Sequence, residues 1–176
     1  MVSHSPNCHP KPVSLQFLKT FHLDRELTIA CPLEEVFAFF SNPKNLEAIT
    51  PPWLRFQIRD ASDDPLREGS HIRYRLKVHG FPMGWTSLIS TWNPPHSFVD
   101  EQVRGPYRVW HHTHTFEAVE GGTLIRDHVE YAMFGGRLIN ELFVRRDLDR
   151  VFAYRTERLA EIFGPGSSLK AISGWL

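Results

Sequence analysis

Cysteine, excess charge and long apolar runs are all scarce in this sequence. Only Cys8 and Cys31 occur among 176 residues, with no CxxC or CxxxC spacing. A zinc knuckle or a redox pair is therefore unsupported, and a reducing, cytoplasmic setting is expected. Lys and Arg number 20, Asp and Glu also 20, so the formal net charge is zero. No overall positive field exists to hold nucleic acid or an anionic membrane. No stretch approaches the roughly 18 apolar residues of a membrane span, so no integral membrane contact is expected. The opening stretch carries His4, Pro6, Pro10, Lys11 and Pro12 without an apolar run and does not read as a signal peptide. GxSxG, Walker A, HExxH and a GxGxxG after a strand are missing too, and no cofactor is expected.

What is present is an ordinary globular composition, 41% hydrophobic and 23% charged, in a chain long enough for one sizeable core. Residues 1–19 read as a flexible leader, in which His4, Cys8 and His9 could hold a metal only loosely. Residues 20–164 read as the domain and 165–176 as a C-terminal tail with Trp175 as a loose anchor. Phe21, Leu23, Leu27 and Ile29 alternate as in a half-buried strand. Leu33, Val36, Phe37 and Phe40 recur at helical spacing behind Pro32. A second short helix is predicted with Asn42 as N-cap and Pro43 as its first residue. Further strands follow, at 54–58, 72–78, 84–92, 98–104, 107–118 and 123–132, separated by Gly and Pro turns. From Arg137 to Phe163 there is no Gly or Pro, and Leu138, Leu142, Leu148, Phe152, Leu159 and Ile162 recur near a 3.6 period. That predicts one helix of about 27 residues, about 40 Å long.

The order predicts an α+β fold. A curved antiparallel sheet of about 6–7 strands wraps on a long C-terminal helix, with two short helices after the first strand. Sheet curvature leaves a gap that the helix cannot fill everywhere, a candidate cavity. This order resembles the START-like, or SRPBCC, superfamily with its helix-grip fold, which includes polyketide cyclase/dehydrase and coenzyme Q-binding START proteins. The runs ACPLEEVFAFFSNP at 30–43, WNPPHSFVDEQ at 92–102, GPY at 105–107, WHHTHTF at 110–116, GGT at 121–123, DHVEY at 127–131 and FAYR at 152–155 are similar to its bacterial ligand-binding branch. The resemblance spans about residues 20–163. It implies the helix-grip fold and a cavity for a small hydrophobic molecule, without naming the ligand.

The strand pair 110–116 and 123–131 carries the informative polar residues. Trp110, His112, His114 and Phe116 share one face, and Ile125, Asp127, Val129 and Tyr131 share another. A tight turn near Gly121 sets His114 opposite Asp127 and Trp110 opposite Tyr131, whereas a register two residues away pairs His112 with Asp127. The pair either satisfies itself beneath the cavity, contacts a ligand's polar end, or acts as acid and base. Zinc on His112, His114 and Asp127 lacks a clear fourth ligand, so no metal is expected. Asp100 and Gln102 share a face with Phe98 that points either inward or outward. Arg155, beside the helix stripe, either offers a guanidinium to a carboxylate ligand or pairs with an acidic neighbour. Tyr74, Trp85, Trp110, Tyr131 and Phe152 are candidate pocket aromatics, as readily plain core.

Three roles fit these residues. The leading one is binding of a lipid, isoprenoid or polyketide-like molecule. A cyclase/dehydratase-type enzyme would use His112 or His114, tuned by Asp127, to move a proton. A protein-interaction domain would use the outer sheet face, where His71, Arg73, Arg75 and Lys77 make a greasy contact improbable and leave a charged partner open.

Overall fold

A computed structural model describes residues 19–164. The tail residues 165–176, and all of the leader but Lys19, lie outside the described residues, so the readings of His4, Cys8, His9 and Trp175 lie outside them too. Strand β1 (Phe21–Ile29) leads into helices α1 (Leu33–Ser41) and α2 (Asn45–Ala48) and a 3₁₀ turn at Pro52–Leu54. Strands β2 (Gln57–Ala61), β3 (His71–Val78), β4 (Phe81–Asn93), β5 (Ser97–Arg104), β6 (Val109–Val119) and β7 (Gly122–Ala132) follow. They form one antiparallel sheet in the order β1-β7-β6-β5-β4-β3-β2. β1 and β2 are adjacent in sequence and lie at opposite edges, so α1 and α2 carry the chain between the two edges. Phe37 of α1 anchors that crossing, its ring 5.1 Å from Trp92 and 5.4 Å from Phe116.

The helical stretch runs from Gly136 to Phe163, one residue earlier than the expected start at Arg137, and not as one regular helix. It divides into α3 (Gly136–Ile139), a π turn (Asn140–Val144) and α4 (Arg145–Phe163). Leu148, Phe152 and Leu159 of the predicted stripe are buried, whereas Leu138, Leu142 and Ile162 are exposed. The π turn takes wider steps than 3.6 residues and rotates the inward face. The inward positions become Asn140, Val144, Leu148 and Phe152, spaced by four, with Asn140 fully covered and Val144 half-buried. Asn140 is held there by the Tyr131 hydroxyl, which donates to Asn140 Oδ1 at 2.8 Å.

Smaller departures have local causes. Asn42 Oδ1 accepts the Lys44 backbone N–H at 3.0 Å, so it caps a turn and α2 starts two residues after Pro43. Residues 52–54 wind as the 3₁₀ turn, and β2 begins only at Gln57. The β3–β4 turn is His79-Gly80, both at positive φ, the geometry that matches the twist of a two-residue hairpin. β4 therefore begins at Phe81, earlier than the Gly-Phe-Pro sequence suggested.

The core lies in two parts. One gathers Leu27, Ile29, Val36, Phe37, Ile89, Phe98, Phe116, Ile125 and Leu159 near the short helices. The other gathers Phe21, Leu23, Val129, Tyr131, Met133, Leu148 and Phe152. Each fully buried aliphatic side chain stabilises by roughly 1.5–3 kcal/mol.

Candidate functional site

The strand registers explain what separates the two cores. On β7 the inward sequence is Ile125, Asp127, Val129; on β6 it is Phe116, His114, His112, Trp110; on β1 it is Leu27, Arg25, Leu23. Arg25 pairs with Asp127, Asp127 with His114, and His112 with Asp100 across three ladders. Asp100 in turn stands opposite Ile89 on β4, one inward position from Ser87. Beyond it the Ser87 hydroxyl accepts Trp85 Nε1–H at 3.1 Å and stands 3.4 Å from the Tyr74 hydroxyl. A polar belt thus crosses the inner face of the sheet at right angles to its strands. Ser87 was not among the sequence candidates, although its place between inward Trp85 and Ile89 carried the signal. Arg25 was also missed. It reaches across to Asp149 of α4 and ties helix to sheet.

Asp127 sits at the centre of the belt. Its Oδ1 accepts His112 Nε2–H at 2.9 Å, and His114 Nδ1 lies 2.7 Å from the same oxygen, off the line of a directional bond. Of the two registers the sequence left open, the one with His114 opposite Asp127 and Trp110 opposite Tyr131 is found. The alternative pairing is satisfied as well, because one carboxylate oxygen reaches both imidazoles, whose ring centres are 3.8 Å apart. Burial alone would raise the Asp127 carboxyl, but the approach of His112 and His114 prevails and holds it well below the usual carboxylate range. Burial pushes His112 down to about 3, the neighbouring His114 adding to the effect and the bond to Asp127 opposing it. At neutral pH the centre is an ionised carboxylate receiving an N–H from a neutral imidazole. His112, His114 and Asp127 place one ligand atom each within 4.8 Å of one another and are of the kinds that ligate zinc. One hydrogen bond, His112 to Asp127 at 2.9 Å, joins two of the three, and His114 Nδ1 faces the same oxygen at 2.7 Å.

Above the belt, between sheet and helix, lies a cavity of about 610 Å³. Tyr74, Trp85, Asp100, Trp110, His112, Phe152 and Arg155, all sequence candidates, line it, along with Leu76, Met83, Met133 and Leu148. Trp85 forms the centre of an aromatic wall, its ring 5.2 Å from Trp110, 5.8 Å from Tyr74 and 5.5 Å from Tyr107. His79 Nε2 and Asp147 pair at 2.7 Å on its border and link the β3–β4 hairpin to α4. A second cavity of about 50 Å³ adjoins on the side of the short helices and is lined by Phe40, Phe98, Asp100, His114 and Arg155, among others.

Three candidates stand elsewhere. Gln102 is occupied by the β5–β6 connection, its Nε2–H donating to Tyr107 O at 2.7 Å and its Oε1 accepting Tyr107 N–H at 3.2 Å. Tyr131 is fully covered and holds Asn140. Asp127 lies behind the two imidazoles and borders neither cavity. Asp100, whose direction the sequence left open, faces inward, and burial raises its carboxyl. Burial likewise raises the Tyr74 phenol well above its ordinary value.

Sheet, gripping helix and the cavity between them define a helix-grip, START-like domain. Residues 29–153 match the family described as polyketide cyclase / dehydrase and lipid transport, and the chain belongs to it. Solved structures agree on the fold. Protein Ms6760 from Mycobacterium smegmatis is similar at 18% identity, with 85% of this chain and 92% of that one covered and a TM-score of 0.59. The Q3J4M4_RHOS4 protein from Rhodobacter sphaeroides is similar at 19% identity, covering 81% and 91%, with a TM-score of 0.61. The major latex-like protein 151 from Panax ginseng reaches a TM-score of 0.63 at 13% identity, covering 83% and 99%. Among curated proteins none matches. No helix among the described residues is long and apolar enough to cross a membrane.

Proposed function

We propose that this protein binds a small hydrophobic molecule, of lipid, isoprenoid or polyketide-like kind, in the cavity between sheet and C-terminal helix. The observation that carries the reading is the cavity itself. Its volume of about 610 Å³ falls in the range of small-molecule sites, roughly 300–1,000 Å³, and its walls are mainly aromatic and aliphatic with a few convergent polar groups. The lipid-transport part of the family description supports it. Filling the cavity tests it. Leu76 is buried on β3 and faces the space. Leu76→Trp is expected to weaken uptake of an apolar fluorescent probe at least about tenfold while leaving the fold intact, since about one methylene's burial is lost per 0.8 kcal/mol and a bicyclic ring displaces several. Native mass spectrometry of the unmodified protein should show a stoichiometric co-purified molecule that the variant lacks. Equal loading of both proteins would sink the proposal.

A proton-transferring, cyclase/dehydratase-type activity has one observation in its favour. His112 borders the cavity, and only its Nε2 is engaged by protein. Its basicity weighs against that role. An imidazole at about 3 is a weak base for a reaction at neutral pH, where a catalytic group works best with a pKa near the operating value. Binding is therefore preferred. A cytoplasmic location is part of the proposal, supported by the sparse cysteine; fractionation placing the protein outside the cytoplasm would overturn it. Any protein partner would meet the exposed charged face of His71, Arg73 and Arg75.

A further inference from the structure

Buried polar atoms without a hydrogen-bond partner are costly and rare in folded proteins, and each calls for an explanation. Among the described residues three buried side-chain atoms are in this state: Asp100 Oδ1, His114 Nδ1 and Arg155 Nη1. They come from three elements, β5, β6 and α4, and meet at one place. Asp100 and Arg155 border both cavities, and His114 borders the smaller. One occupant would engage the unpartnered groups of helix and sheet together.

We infer that the molecule bound in the cavity carries a carboxylic acid at its polar end, seated against Arg155 and Asp100, with its apolar body along the aromatic wall. This rests on the cavity-binding reading and adds the chemistry of the head group. Arg155 has no ion-pair partner among the described residues; the Phe152 ring, 5.3 Å from its Cζ, is its flank. Asp127 is already engaged by two imidazoles and lies outside both cavities. The cation that needs an anion is thus the guanidinium, whose planar fork suits a carboxylate. A ligand carboxylate also brings two oxygens. One accepts the Arg155 N–H, and the other accepts the O–H of Asp100, whose burial favours the protonated form. An alcohol can bridge the same two groups through its single oxygen, but it brings no charge for the guanidinium to pair with. An amine would face Arg155 with like charge. A dianionic phosphate would set two charges against one guanidinium with Asp100 alongside. The small cavity of about 50 Å³ lies beside these groups and has room for a compact head.

The test uses two probes that differ only at the head, 1-pyrenebutyrate and 1-pyrenebutanol, titrated by fluorescence into the full-length protein at pH 7.5. The acid is expected to bind at least about tenfold more tightly than the alcohol, as charge-assisted bonds exceed neutral ones. Arg155→Met should abolish that gap by weakening the acid while the alcohol stays within about twofold. Arg155→Lys, which keeps the charge and loses the fork, should retain part of the gap. Arg155→Gln replaces the Met variant if circular dichroism shows the latter unfolded. Equal affinity of acid and alcohol in the unmodified protein, or a gap that survives loss of the guanidinium, overturns the carboxylate head and leaves cavity binding standing. Failure of both probes to bind removes the cavity-binding reading together with this inference.

Discussion

Replacing Asp127 with alanine is expected to destabilise the domain by about 3 kcal/mol, measured by urea unfolding at pH 7.5. The value follows from what the carboxylate does where it is. Hydrogen bonds to a charged group contribute about 1.5–3 kcal/mol, and removing one partner of a buried pair leaves the other unsatisfied at a cost of the same order. Both imidazoles that face Asp127 are at most 5% exposed, so water cannot take its place without opening the belt. Asp127→Asn keeps an acceptor oxygen at the same position and should cost about 1 kcal/mol less. The protein contains its own control one strand away. On the outer face of the same sheet His128 Nδ1 lies 2.6 Å from Asp24 Oδ1, a similar pair with side chains 48% and 43% exposed. Exposed pairs contribute little, so Asp24→Ala should change stability by no more than about 0.5 kcal/mol. If the two alanine variants unfold at the same urea concentration, the belt is not the buried electrostatic centre described above.

The sequence was most legible where alternation was strict and turns were short. The 110–116 and 123–131 strands had clean inward faces and a Gly121 turn, which narrow the pairing to two registers, each joining a His to Asp127. The tight-turn register, with His114 opposite Asp127, is the one found. It could not reveal that Asp127 serves His112 too, since that depends on side-chain reach and on the tilt of two stacked rings, neither of which a period-2 pattern encodes. Asp100 was undecided for a related reason. Val99 and Phe98 are both buried on β5, and register shifts fall between β4 and β5 at Thr86/Ser87 and Ile89/Thr91, so alternation there does not identify an inner face.

The C-terminal helix shows a different limit. Apolar residues at Leu138 and Leu142 fit the 3.6 period as well as any, yet both are exposed. The rotation comes from the π turn, whose cause is tertiary: the Tyr131 hydroxyl on β7 draws Asn140 inward. A polar residue taking a core position because a partner waits there is invisible to hydrophobic periodicity. Arg155 was legible as a residue near the stripe. Its lack of an ion-pair partner among the described residues needed the positions of its neighbours there.

Acid should weaken the fold in two stages, and His112 should govern the first. In the folded protein burial holds His112 at about 3, while an unfolded imidazole titrates near 6.5. Between those values the unfolded chain binds a proton that the folded chain refuses. Stability therefore rises with pH across this window and is lost as pH falls, by up to about 1.4 kcal/mol per pH unit. On the order of 4 kcal/mol would be lost from His112 by pH 3. Asp127 joins below about pH 4. Its folded value lies beneath its unfolded one, so the stabilisation present above the unfolded value drains away as pH falls toward the folded value. Asp100 opposes both, because burial raises its carboxyl and its protonation in acid favours the folded state. The His112 contribution can be isolated despite that opposition. His112→Gln places an amide N–H near the position of Nε2 and does not titrate, so Asp127 keeps a donor. Urea unfolding of both proteins at half-unit steps from pH 7.5 to pH 4 should give the unmodified protein the steeper loss, with the difference between the two curves opening at about pH 6.5. Parallel curves would mean that His112 titrates alike in the folded and unfolded states, and the argument from its low basicity, which favours binding over proton transfer, would fall with it.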